Sequence, residues 1–367
     1  MIILLEITRG LAALWVFMFH INGSFKDSIP MLYWFAKHGS LGVPMFFVIS
    51  GYVITHSAES SVSNNKNPTI FLKNRFLRIY PTFWASVIIV LAIPYFIESI
   101  SFLKSGAFVW PTNKLIVFDI SEWFNFLLLS KVFMASAGDL QGEFTAINAV
   151  YWTLAIEFQF YLVVFLLLYT KEHFKMVVLL FSLVCGALML TSVHINYGIF
   201  VNYWPSFSVG IGLAYLHLNN IKFSLNTLHV LCIIAFMSFG VLLSQLTTIE
   251  TFNLGFAICF GCLLFCISNF EQVFNKIKNG NNKIFYFLLK PWLVLGAMSY
   301  SVYLVHGKIY QIPAMFVRQF LIPTNPFYPI LIIIGTLFLC LPIFYLVEKR
   351  FLSKNYKKIH EDIMVKK

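Results

Sequence analysis

The chain has 367 residues, 59% of them hydrophobic and 11% charged, with a formal net charge of +11. A soluble globule carries about a quarter charged residues, so this composition, with a mean hydropathy of +0.80, excludes one and predicts a polytopic membrane protein. The positive charge does not by itself name a partner; its distribution along the chain does.

Hydropathy predicts an all-α polytopic bundle of about ten transmembrane helices of roughly 20 residues each. They lie near residues 2–21, 41–58, 79–99, 146–169, 176–193, 203–218, 225–244, 252–270, 292–317 and 328–347. With the N-terminus in the cytoplasm, seven of the 26 Lys and Arg fall outside: Lys26, Lys37, Lys104, Lys114, Lys131, Lys308 and Arg318. The other 19 fall inside, so the positive-inside rule predicts both termini cytoplasmic and removes the case for a nucleic-acid partner. Residues 1–348 read as one membrane domain and 349–367 as a basic cytoplasmic tail. The first segment reads as a retained span, since no basic stretch precedes it and charges interrupt it. "EWFNFLLLSKVFMAS", residues 122–136, is short and holds Lys131, which predicts an interfacial segment on the outer face. "CFGCLLFC" has CxxC spacing inside an apolar helix with no histidine nearby, which predicts helix packing and no metal site.

The first span carries Glu6, Arg9 and His20. Arg9 and His20 are eleven residues apart, which is about 20° around a helix and about 16 Å along it, so they share a face. Glu6 precedes Arg9 by one turn. In the second span, "FFVISG" places Ser50-Gly51 where small residues either pack helices closely or leave room for a substrate chain. "FLKNRFLRIYP" puts Arg75 and Arg78 on one side of a helical turn at the cytoplasmic surface, suited to anchoring or to phosphate. Glu157, in "WTLAIEFQFYL", needs a buried partner, expected to be a histidine or arginine of another helix, and Tyr161 extends its face. Ser299, Tyr303 and His306 fall on one face of the ninth span. These positions predict a polar cavity lined by His20, Glu157 and His306, in which a histidine serves as general base and a carboxylate orients it.

In this order the five segments resemble the membrane acyltransferase-3 family: Arg9-x10-His20, Phe46 to Gly51, Arg75-x-x-Arg78, Trp152 to Leu162 and Ser299 to His306. Two departures stand out. Glu6-Ile7 replaces the family's frequent Asp-Gly, and Phe158 replaces the second acid of its paired glutamate. The length also leaves no room for the extracytoplasmic hydrolase-like domain fused to some members. The resemblance implies an O-acyltransferase of the inner (plasma) membrane. Acetyl-CoA would be the donor, seated by Arg9, Arg75, Arg78, Ser50 and Gly51. The acceptor would be a hydroxyl of a cell-surface carbohydrate such as lipopolysaccharide O-antigen or exopolysaccharide. His20 would be the base or would itself carry the acyl group, with Glu157 and His306 orienting or balancing charge, and no metal is expected. The rival reading is a transporter or flippase of a lipid-linked glycan, which would show inverted repeats and paired broken helices.

Overall fold

The computed structural model describes residues 2–106, 118–134, 142–189, 191, 198–224, 226–245, 248–274 and 283–352. The tail at 353–367 and, from the charge count, Lys114, Lys276 and Lys278 lie outside these residues, as do 135 and 136 of the short outer segment. The described residues form α-helices and short 3-10 turns, with no strand among them. That is the expected result for a chain this apolar, because only intrahelical bonding satisfies the backbone in hydrocarbon without closing a barrel.

In chain order the helices are α1 (Ile2–His20), α2 (Pro30–Lys37), α3 (Gly42–Ser63), α4 (Pro68–Ser105), α5 (Ile120–Leu127), α6 (Gly142–Thr145), α7 (Trp152–Leu167), α8 (Phe174–Met189), α9 (Trp204–Leu218), α10 (Thr227–Ser244) and α11 (Ile249–Ile267). Helices Lys283–Ala297, Ser299–Ile309, Gln311–Val317 and Phe327–Leu346 follow. Among the described residues, seven helical stretches are long and apolar enough to cross a membrane, or eight if the pair broken between Ala297 and Ser299 is one span. The expected ten differ from this count for two physical reasons. α9 has 15 residues, about 22 Å of rise against a hydrocarbon core of about 30 Å. The 41-residue stretch Ala149–Met189 counts once, although Lys171 (φ 49°, ψ −112°) breaks it between α7 and α8. α5, with eight residues, is too short to cross, and a capping box between Asp119 and Glu122 starts it. Lys131, beyond it, is buried beside Glu122 at 3.6 Å.

The chain folds into two interleaved compact units. One holds residues 1–12, 41–76 and 156–296, the other 13–40, 77–155 and 297–367. In the first, α3 and α9 pack closely over an aromatic core in which the Phe160 and Phe207 rings lie 4.4 Å apart. Glu271 accepts hydrogen bonds from the backbone N–H groups of Ile3 and Leu4, both at 2.9 Å, placing a carboxylate on the positive end of α1. In the second, Phe83 and Tyr151 meet edge-on at 5.0 Å. A cluster of Phe17, Met18, Ile21, Phe25, Tyr328 and Ile332 encloses the end of α1 there.

Candidate active site

α1 ends at His20, which is exposed. His306 lies on the Ser299–Ile309 helix and is fully buried. Their ring centroids are 5.0 Å apart, and Phe17 packs on His306 at 5.6 Å. His306 Nδ1 is 3.0 Å from the carbonyl of Val302. A carbonyl only accepts, so Nδ1 carries the proton and Nε2 keeps its lone pair. That Nε2 is buried and has no hydrogen-bond partner among the described residues, an uncommon state for a buried nitrogen.

The surroundings hold this histidine in place. The Asn148 side-chain amide donates to the Leu304 carbonyl at 2.8 Å, and a Cβ at Gly307 would come within 2.8 Å of Asn148 Oδ1. Thr153 and Tyr303 share a hydroxyl–hydroxyl bond of 2.7 Å, and the Tyr303 ring lies 5.8 Å from that of His306. Ser299 Oγ on the same helix and Thr82 Oγ1 on α4 are also buried without hydrogen-bond partners among the described residues. The predicted face of Ser299, Tyr303 and His306 is therefore a buried polar face.

The other unit contains a second polar group. Glu157 Oε1 accepts from Ser50 Oγ at 2.7 Å and from the Tyr161 hydroxyl at 2.6 Å. Its hydrogen-bond partners are hydroxyls, where a histidine or arginine was expected. The reason is that Tyr161 stands one turn further along α7 and Ser50 is supplied by α3. The Arg75 guanidinium donates to Ser57 Oγ at 2.8 Å and lies over the rings of Phe71 and Tyr161, at 5.4 and 5.9 Å. Arg9 is half-buried on α1, and Glu6 is buried. Glu157, Ser50 and Arg75 thus belong to one compact unit, and His20 and His306 to the other.

Two donor-site expectations take different forms in the structure. Gly51 leaves no room for a substrate chain: a Cβ there would overlap the Phe207 carbonyl oxygen, and one at Gly210 would overlap that of Val48. The space on this side is filled by α9, with which Gly51 packs closely. Arg78 pairs with Glu348 at 3.0 Å and lies 5.2 Å from the Tyr300 ring. Glu348 is fully buried, and its other oxygen accepts from Ser301 N–H at 3.0 Å and Ser301 Oγ at 2.6 Å. Sequence reasoning missed Glu348 because it sits at the edge of the last apolar run, where an acid reads as a solvated flank. Asn148 and Thr153 were missed because neutral polar residues carry no charge signal. The described residues contain no cluster able to hold a metal ion.

Residues 2–345 match the acyltransferase domain of the acyltransferase-3 family. The peptidoglycan O-acetyltransferase OatA of Listeria monocytogenes is 27% identical over 331 residues, covering 82% of this chain and 48% of the relative. The O-acetyltransferase OatA of Staphylococcus aureus is 26% identical over 341 residues, 82% of this chain and 49% of its own length. The chain therefore spans about half the length of these curated relatives. A shorter match, 33% over 96 residues, covers 26% of the chain and 46% of "Protein 2 in picA locus" of Rhizobium radiobacter. No solved structure matches. With the five motifs in order, a histidine pair assembled from the first and last of them, and a match over nearly the whole length, the chain belongs to the acyltransferase-3 family.

Proposed function

We propose that this protein is a membrane O-acetyltransferase that moves an acetyl group from cytoplasmic acetyl-CoA to a hydroxyl of a cell-surface carbohydrate. The observation that carries the reading is the His20–His306 pair at 5.0 Å, with the Nε2 of His306 buried and without a hydrogen-bond partner among the described residues. The relatives are named for O-acetylation, one of them of peptidoglycan, which makes cell-wall glycan a candidate acceptor beside O-antigen and exopolysaccharide. With α9 counted as a short span that the bilayer meets by local thinning, the bundle crosses the plasma (inner) membrane about ten times with both termini cytoplasmic, in keeping with the excess of inner Lys and Arg.

In this mechanism His20 takes the proton from the sugar hydroxyl as its oxygen attacks the thioester carbonyl. The tetrahedral intermediate collapses to the ester, the CoA sulfur leaves, and the proton held on His20 neutralises the thiolate. His306, held by Val302 and Asn148, fixes the His20 ring and balances the imidazolium. Arg75, aided by Arg9, binds donor phosphates, for which a guanidinium fork is suited. Ser50, Glu157 and Tyr161 orient Arg75 and the donor arm. Arg78 contributes by holding Glu348.

The test uses a strain lacking the gene, complemented at matched levels with wild type or His20→Ala. O-acetyl groups on surface polysaccharide and on peptidoglycan fragments are then quantified by mass spectrometry and NMR. Ester with wild type and none with the variant is the expected result. Equal ester from both removes His20 from the chemistry. No ester from either, with altered glycan export, replaces acyl transfer by transport.

A further inference from the structure

A cavity of about 840 Å³ opens among α8, α9, α10 and α11, within the first unit. Its size is that of a ligand site rather than of a packing defect. Its wall is mostly hydrocarbon, with Leu213, Phe236, Leu254 and Phe265 among the lining residues, and His229, whose Nδ1 accepts from Ser224 N–H, is a polar exception. The two serines in the wall are already spent. Ser182 Oγ donates to Val178 and accepts from Trp204 Nε1, and Ser208 Oγ donates to Pro205. Water needs two to four polar partners to occupy such a space and finds almost none. The cavity is open to one side, where Leu183, Phe236 and Phe239 are exposed, so its occupant can enter from the surrounding lipid.

Two glycines indicate that the space is kept open. Gly186 in α8 and Gly212 in α9 line the cavity, and a Cβ built on either meets nothing within 4 Å. Gly51, Gly210, Gly240 and Gly255 are explained by touching backbone; Gly186 and Gly212 are not. Glycine in a helix interior is the less stable choice against alanine, so their smallness serves the cavity rather than the helices.

One end of the cavity is polar. A second, smaller pocket of about 210 Å³ shares Leu213, Ile221 and Phe265 with it and is lined by His217, Lys222, Asn269 and Gln272. Glu271 also lines this pocket, with both carboxylate oxygens bonded to the amides of Ile3 and Leu4. Lys222 is exposed. The mouth holds one lysine, Lys222, beside a Glu271 carboxylate taken up by the α1 amides and a His217 whose Nδ1 is bonded to the Tyr52 hydroxyl. An apolar chamber adjoining such a mouth, between helices apolar enough to lie in lipid, suits an amphiphile whose head meets Lys222.

We propose that this cavity binds one anionic phospholipid, with an acyl chain between α8, α9, α10 and α11 and the phosphate at Lys222 and His217. The binding does not depend on the acetyltransferase reading; only the choice of the cytoplasmic leaflet rests on the orientation proposed above, and anionic lipids of that leaflet are held by such basic pockets between helices.

The experiment reconstitutes the full-length protein in lipid nanodiscs. These contain a trace of phosphatidylglycerol with a diazirine-bearing acyl chain, and adducts are mapped by mass spectrometry after illumination. Adducts on cavity residues of α9 and α11 are expected, competed by excess phosphatidylglycerol at least tenfold better than by phosphatidylcholine. Gly212→Leu should reduce labelling at least fivefold, and Gly186→Leu does the same from α8 should the first variant not fold. Lys222→Glu should erase the headgroup preference while keeping chain labelling. Adducts confined to the outer surface of α10, or equal competition by both lipids, would overturn the proposal. So would undiminished cavity labelling in a folded Gly212→Leu or Gly186→Leu protein.

Discussion

Arg78 stands on the helical turn where a donor phosphate was expected, yet its partner is a carboxylate. Glu348 is 0% exposed, the Arg78 side chain is 18% exposed, and they meet at 3.0 Å. In Arg78→Met, the Glu348 carboxylate stays buried and, among the described residues, keeps the two hydrogen bonds from Ser301. Breaking a buried pair by removing one partner costs about 3–5 kcal/mol. At about 2–4 °C per kcal/mol for domains of 150–250 residues, that lowers the melting temperature by roughly 6–20 °C. Glu348→Gln should fall in the same range. The double variant Arg78→Met/Glu348→Gln should cost less than the two singles added together, by about 0.5–3 kcal/mol of coupling. The measurement is a thermal melt of each variant in detergent, followed by size-exclusion chromatography, with acetyl-CoA binding to the folded fraction measured in the cold. A stabilising ion pair requires that Arg78→Met lower the melting temperature and leave cold binding within about twofold. An Arg78→Met protein that melts like wild type but no longer binds donor would refute this reasoning and return Arg78 to the phosphate site.

Gly210→Ala should destabilise by about 1–3 kcal/mol through overpacking, because the new methyl meets the Val48 carbonyl and lies 2.7 Å from the Tyr52 nitrogen. Gly212→Ala, two residues on and in open space, should be neutral or stabilise by up to about 1 kcal/mol; paired melts of the two decide it. Glu271→Ala should remove about 0.5–2 kcal/mol of capping from α1, seen as faster hydrogen exchange at Ile3 and Leu4. His20→Ala, at an exposed helix end, should keep the melting temperature within a few degrees and lower acetyl transfer by about 10²–10⁴-fold, the usual worth of a general base. His306→Gln should lower transfer comparably, read by the same ester assay on folded protein.

Periodicity and hydropathy were enough to place α1, α3, α10 and α11 within a few residues, because a span needs its apolar run to be continuous. They were less informative at α9, whose 15 residues look like a span in hydropathy but fall short in rise. The meeting of His20 with His306 could be anticipated from the cost of placing two imidazoles in apolar helices. The partners of Glu157 could not. Ser50 and Tyr161 are ordinary residues of membrane helices, and only the folded geometry shows that they share one carboxylate oxygen. Glu348 was hidden for a similar reason: burial of a flanking acid depends on where the chain turns after Leu346, which local sequence does not record. Gly51 was legible as small, but the choice between housing a ligand and housing a helix lies in the partner, here Phe207 and Gly210.

The contact of α3 with α9 has a mechanical consequence. Where a glycine of each helix meets the other's carbonyl oxygen, no flexible side chain lies between the backbones to absorb a slide. The two helices therefore travel as one strut, and Ser50 is carried with α9 as much as with α3. If the donor arm passes Ser50 as proposed above, it enters from the other side of the Ser50 hydrogen bond, by letting Glu157 go. Substrate entry would then be timed by the rupture of a single hydroxyl–carboxylate latch rather than by the parting of two helices.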